Sequence, residues 1–158
     1  MFNITFPKKP SNYRQIDEFV SRSAQPRKSG IKWLKKQGVT DIISFRKEGT
    51  SSFNEKEYVE NMGMKYHCIP TSGRNPSEEK VGKFLDIIED IKNTDGKVHI
   101  HCKAGADRTG MYSWIYKQKN GIGEMEENKR EMFHMGYNPI MYPKLIRWIE
   151  DYLYKGWR

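Results

Sequence analysis

Residues 98–110 read V-H-I-H-C-K-A-G-A-D-R-T-G, and the reading of the whole chain works outward from them. Val98, His99 and Ile100 alternate apolar and polar, the pattern of a short strand. Cys102 follows, then a loop containing Gly105, then Arg108, and an apolar run from Met111 to Tyr116 opens a helix. A strand–loop–helix junction leaves backbone N–H groups unpaired, and the helix dipole adds its positive end, so such a loop is a cradle for an anion. Cys102 supplies that cradle with a nucleophile. Arg108 supplies a planar fork matched to two phosphate oxygens.

Each member of the loop has a chemical reason. An ordinary thiol is largely protonated at neutral pH, and a helix N-terminus with a nearby cation favours the thiolate. As a thiolate, Cys102 would attack phosphorus and form a phosphocysteine. The amides of Lys103, Ala104, Gly105, Ala106, Asp107 and Arg108, with the Arg108 guanidinium, would hold the equatorial oxygens as charge spreads over them. Gly105 lets the backbone bend closely around the anion. Thr109 would assist the sulfur as it leaves, and His101 would orient the loop through its ring nitrogens. The plain alternative is a buried strand cysteine beside a surface arginine.

The string H-C-x5-R-T, with a strand before it and a helix after it, resembles the signature of the cysteine-dependent protein tyrosine and dual-specificity phosphatases. H-C-K-A-G is similar to the loops of the phosphatase-and-tensin-homologue lipid phosphatases and the Cdc14-type phosphatases. D-R-T is similar to the myotubularin and atypical bacterial tyrosine phosphatase loops. R-S-A-Q-P at residues 22–26 resembles a segment near the start of many small bacterial and plant dual-specificity phosphatases.

At 158 residues the chain is read as one phosphatase domain, 1–158, long enough for a single core. An apolar content of 36% with 13% aromatics fits a globular protein and excludes a disordered one. No apolar run approaches a membrane span, and the N-terminal order of apolar then basic residues is wrong for a secretory signal. Two cysteines make no disulfide framework, and a working thiolate needs a reducing compartment, so a cytoplasmic location is expected. The net charge of +8 could draw nucleic acid, an anionic membrane or an acidic substrate. The basic residues are scattered, so a solvated lysine-rich surface is the reading. Nucleic-acid binding is not expected, and peripheral membrane contact stays open. A monomer is expected.

Along the chain, residues 1–18 read as an extended lead-in, and residues 19–22 as a first strand or hairpin arm. Ser29 is expected to cap a short helix stopped by Gly38. Residues 39–45 read as a buried strand. Asn54 and Glu57 have capping-box spacing for a helix closed by Gly63. Residues 65–69 form a strand with Tyr66 and Cys68 on one face, and residues 70–76 (P-T-S-G-R-N-P) a loop. Residues 77–92 are the clearest helix, with Val81, Phe84, Leu85, Ile88 and Ile91 in helical spacing. Asp95-Gly96 turns the chain into the strand that delivers Cys102. Helices are expected over 111–120, over 124–135, and from Pro143 to residue 154. Strands that alternate with helices predict an α/β fold. It is a compact dual-specificity-phosphatase-like domain whose central, mostly parallel sheet of four or five strands is flanked by helices. The loop at 102–108 would lie at the C-terminal end of its strand.

The resemblance implies a general acid on a separate loop some thirty residues before the cysteine, but residues 70–76 carry no carboxylate. Asp107 stands where the atypical bacterial and myotubularin-like loops carry an acid, and is the candidate donor to the leaving oxygen. Its alternative is a structural cap or a partner for a neighbouring base. Lys103, with Arg74 from the opposing loop, could meet an additional phosphate on an inositol ring; otherwise Lys103 is a solvated loop residue. Cys68 could form a reversible disulfide with Cys102, or be a small core residue. Tyr112, Trp114, Tyr116 and Trp148 read as core.

The expectation is a phosphomonoester hydrolase needing no metal and no cofactor. It would act on phosphotyrosine proteins, extending to phosphoserine and phosphothreonine, with Cys102, Arg108, Asp107 and Thr109 as the catalytic set. A phosphoinositide or inositol-phosphate substrate is the second reading. A catalytically idle phosphate-binding module and a rhodanese-like sulfur carrier are the others.

Overall fold

The structure, a computed structural model, describes residues 5–155; residues 1–4 and 156–158, the two ends of the expected 1–158 domain, lie outside the described residues. Five strands form one sheet: β1 (Arg14–Gln15), β2 (Val20–Ser23), β3 (Asp41–Ser44), β4 (Lys65–Cys68) and β5 (Val98–His101), in the spatial order β1-β2-β5-β3-β4. β1 runs antiparallel to β2, and the other pairs are parallel. β5 therefore lies at the centre, with β2 on one side and β3 on the other, and its C-terminal end carries Cys102. The fold is the expected α/β arrangement with a mostly parallel sheet. The expected lead-in contains one short strand, β1, and β2 runs one residue beyond residues 19–22.

Alternation along the strands sorts the chain into two apolar layers. Ile42 packs with Ile31, Leu34, Val39, Val59 and Met64 beneath α1 (Lys28–Lys36) and α2 (Glu55–Asn61). Ile43, Phe45, Val98 and Ile100 point the other way, into a larger cluster built with α3 (Glu78–Asn93), α4 (Arg108–Lys119), α5 (Met125–His134) and α6 (Leu145–Lys155). Tyr112, Trp114 and Tyr116 are core residues on α4, which is buried along nearly its whole length. A helix covered on all sides has no polar stripe, so its periodicity is faint in sequence.

Several expected boundaries shift. Ser29 does not cap α1: the ladder starts earlier, with Ile31 N–H donating to the Arg27 carbonyl (3.0 Å), and Arg27 takes the N-cap position. α4 begins at Arg108 rather than Met111, because Gly110 and Met111 N–H already donate to Ala106 and Asp107 carbonyls. Asn54 Oδ1 accepts from Glu57 N–H (3.2 Å), which realises one arm of the expected box. Ser77 Oγ caps α3 through Lys80 N–H. Cys68 does not neighbour the active strand. β3 lies between β4 and β5, holding the two strands roughly 9.5 Å apart, beyond the Cα separation of about 7 Å that a disulfide tolerates. Cys68 instead donates its thiol proton to the Arg46 carbonyl (3.1 Å), and burial raises its pKa.

Candidate active site

The loop after β5 is held by its carbonyls. Lys103 O accepts from Gln25 N–H (3.0 Å), Gly105 O accepts from Arg22 Nη2 (2.7 Å), and Asn12 Nδ2 reaches Ala104 O (3.2 Å) and Gly105 O (3.4 Å). With the carbonyls drawn inward, the N–H groups of Lys103, Ala104, Gly105 and Ala106 donate to no other group among the described residues. A row of unpaired amides on a bent backbone is an anion-binding concavity. Gly105 has φ +73, and a Cβ there would lie 2.5 Å from Ala24 N and the Ser23 carbonyl carbon. Only glycine permits both the conformation and the close approach to β2.

Cys102 is 2% exposed at the base of this loop. Arg108, on the first residue of α4, sends Nη1 to the carbonyls of Phe45 (3.2 Å) and Thr71 (3.4 Å), which fixes one edge of the guanidinium against the ends of β3 and the 71–76 loop. Thr109 is fully buried, and its Oγ1 has no hydrogen-bond partner among the described residues. Lys103 and Ala104 are exposed. Asp107 is half-buried, and its Oδ1 accepts from Asn138 N–H (2.8 Å). Burial raises its pKa against the opposing pull of the Asn138 amide and Arg108. Arg74 lines a groove between the 73–76 loop and residues 140–148.

His101 is wholly buried, and both its ring nitrogens meet acceptors: Nε2 lies 2.6 Å from Glu55 Oε2, and Nδ1 lies 3.1 Å from the Cys102 carbonyl. Its Nε2 faces the Glu55 carboxylate, which holds the ring in place beside the cysteine. Glu55 is 5% exposed, and its second oxygen accepts from Gln25 Nε2 (3.0 Å). Arg46 Nη1 donates to Gln25 Oε1 (3.2 Å) and closes the chain.

Arg22 is a buried cation, 1% exposed on β2. Burial lowers its pKa to about 10, while the nearby Glu131 and Cys102 favour its charged form. Its Nη1 lies 4.0 Å from Glu131 Oε1, a carboxylate shared with Arg14 and Lys117. Arg22, Glu55, Gln25 and Asn12 were not expected at the site. The available signal was Arg22 itself, a charge inside a strand segment within the R-S-A-Q-P string. Among the described residues, no group of three or more His, Cys, Asp or Glu side chains is placed to hold a metal ion.

A mostly parallel sheet thus ends in a row of unpaired amides between a cysteine and an arginine, the arrangement that the resemblance to the cysteine-dependent phosphatases implies. A family model described as a "DSP-PTPase phosphatase fused to NAD+ Kinase" matches residues 6–140, and the chain belongs to that family. Dual specificity protein phosphatase CDC14A of Mus musculus is 33% identical over 88 residues, 56% of this chain and 14% of that protein. Dual specificity protein phosphatase TpbA of Pseudomonas aeruginosa is 22% identical over 126 residues, 80% of this chain and 55% of that protein. The matches thus span about a seventh and about half of those relatives. A crystal structure of TpbA in complex with pTyr superposes with a TM-score of 0.72 at 18% identity, covering 97% of this chain and 91% of that one. The catalytic core of the PP-IP phosphatase Siw14 from S. cerevisiae gives 0.70 at 19%, covering 88% and 86%. No helix among the described residues is long and apolar enough to cross a membrane.

Proposed function

We propose that the chain is a single phosphatase domain hydrolysing phosphotyrosine in proteins, and extending to phosphoserine and phosphothreonine, through a phosphocysteine at Cys102. The observation that carries this reading is the loop whose carbonyls are tied inward and whose amides from Lys103 to Ala106 are free beside the cysteine. The thiolate of Cys102 attacks phosphorus as the bond from phosphorus to the leaving oxygen breaks. The Asp107 carboxyl gives that oxygen its proton. Water then attacks the phosphocysteine and passes a proton to the Asp107 carboxylate, while sulfur leaves as thiolate. Arg108 and the loop amides hold the equatorial oxygens throughout. Arg22 places a buried positive charge near the cysteine. Thr109 has a hydroxyl, without a hydrogen-bond partner among the described residues, to offer the departing sulfur. The pTyr complex of the structurally similar TpbA supports the substrate class.

Inositol phosphates are the second reading. The exposed Lys103 at the mouth of the cradle favours it, as does the likeness to a PP-IP phosphatase. Phosphate release from a phosphotyrosine peptide and from soluble inositol phosphates, measured side by side, separates the two, with Cys102→Ser as the blank. Release chiefly from the peptide is expected. Release chiefly from the inositol phosphates would replace the first reading with the second.

Asp107→Asn tests the acid. Turnover is expected to fall about 10²–10⁴-fold on a poor leaving group such as phenyl phosphate and far less on a good one. Since burial raises the Asp107 pKa, the acid form persists to higher pH than for an exposed carboxyl. Turnover of the poor leaving group should decline as pH rises through that value, and the asparagine variant should lack this limb. Equal losses on both substrates would remove Asp107 from the role.

A further inference from the structure

Arg74 lines a groove that the catalytic reading does not use. The groove has a volume of about 530 Å³ and lies between the 73–76 loop and residues 140–148. The residues leading into each wall are hydrogen-bonded to catalytic-loop residues. Thr71 O accepts from Arg108, and Asn138 N–H donates to Asp107. The walls also touch each other, because Gly73 packs so tightly on the Tyr142 ring that a Cβ would lie 2.8 Å from it.

The outer wall presents apolar side chains to water from a stiff turn. Asn138 Oδ1 accepts from the N–H groups of Ile140 and Met141 (3.0 Å each), Asn138 O accepts from Tyr142 N–H (3.0 Å), and Tyr137 OH bonds Tyr142 O. On that turn Ile140 is 92% and Met141 49% exposed. A lone exposed aliphatic is ordinary, but two on a braced turn beside a catalytic loop mark a contact surface. No carboxylate lines the groove, and Arg74 and Lys144 lie along it without an ion pair among the described residues.

We infer that this groove is a specificity subsite, which takes a large apolar side chain from an acidic polypeptide segment flanking the phosphorylated residue. The inference rests on the protein-phosphatase reading above. Its occupant follows from reach and charge. Ile140 is two residues from Asn138, at most about 7 Å of chain, and Asn138 is bonded to Asp107. A peptide residue one to three positions from the phosphorylated one spans the same distance at about 3.3–3.6 Å per residue. The apolar wall suits a leucine or phenylalanine and does not suit a second phosphate, while the two unpaired cations favour neighbouring glutamates or aspartates.

The test is kcat/KM on acidic phosphotyrosine peptides in which leucine or serine occupies each of the three positions on either side of the phosphotyrosine. At one position leucine should exceed serine about tenfold, the discrimination one apolar pocket supplies. Ile140→Asp should bring that ratio close to one, and Lys144→Glu should reduce the advantage of acidic over neutral peptides. Circular dichroism would confirm that both variants fold. Absence of discrimination at every position, or discrimination that survives both variants, overturns the subsite and leaves the protein-phosphatase reading standing. Hydrolysis of inositol phosphates with none of either peptide overturns both.

Discussion

Strand β5 carries two buried histidines on one face, and their partners differ: hydroxyls flank one ring, while a carboxylate and a carbonyl meet the other. His99 faces β2. Ser21 Oγ lies 2.7 Å from its Nδ1 and Ser23 Oγ 2.7 Å from its Nε2, with Tyr13 stacked against the ring. The Ser23 hydroxyl donates to Ala24 O, so it accepts from Nε2–H, and the Ser21 hydroxyl donates to Nδ1. The ring is neutral, and burial, with the nearby charge of His101, pushes its pKa well below the usual histidine value. His101, two residues on, meets a carboxylate and a carbonyl. Hydroxyls donate or accept as the ring requires, whereas a carboxylate and a carbonyl only accept. The difference shows how a fold fixes one ring by adaptable partners and orients the other, beside the nucleophile, by fixed ones.

The comparison breaks most severely at Glu55. Removing one partner of a buried ion pair strands the other, so Glu55→Ala should lower stability by about 3–5 kcal/mol in urea unfolding. Turnover of a small aryl phosphate should fall with it. A loss under about 1 kcal/mol with turnover intact would mean the Glu55–His101 contact does not support the site. Ser23→Ala leaves His99 Nε2–H without an acceptor and should cost about 1–3 kcal/mol, while turnover, measured on the same aryl phosphate, stays near that of the unmodified protein. A large loss of turnover would merge the two regions into one device.

The gentlest test is pH. Because the folded His99 pKa is depressed, the unfolded chain takes up a proton below about 6.5 that the folded chain refuses. Stability present above that pH is therefore lost as pH falls, by up to about 1.4 kcal/mol per unit. Between pH 7.5 and 5.5 the unfolding free energy of His99→Asn should depend on pH less than that of the unmodified protein. Identical slopes would contradict a neutral His99.

Much of this was legible in the residues. The cysteine-to-arginine spacing, the strand before it, Gly105 at the bend and the apolar faces of α3 and α6 all follow from relations within a few positions of one another. The start of α4 was missed because its first two residues, Arg108 and Thr109, face the site and break the apolar pattern. The N-cap of α1 was missed because the chain is held there by backbone bonds alone, which leave no side-chain signature.

What the sequence determined by itself is the loop, its order of groups and the alternation of strands and helices, because periodicity and turn chemistry act over spans of about four residues. Only the tertiary structure decided that β3 stands between Cys68 and the active strand, that Glu55 reaches His101 across 46 positions and Arg22 reaches Gly105 across 83. It also decided that residues 73–76 and 140–148 wall one groove. The physical reason is the order in which parallel strands stack: crossovers choose which distant side chains share a buried space, and burial then decides which of them must carry charge.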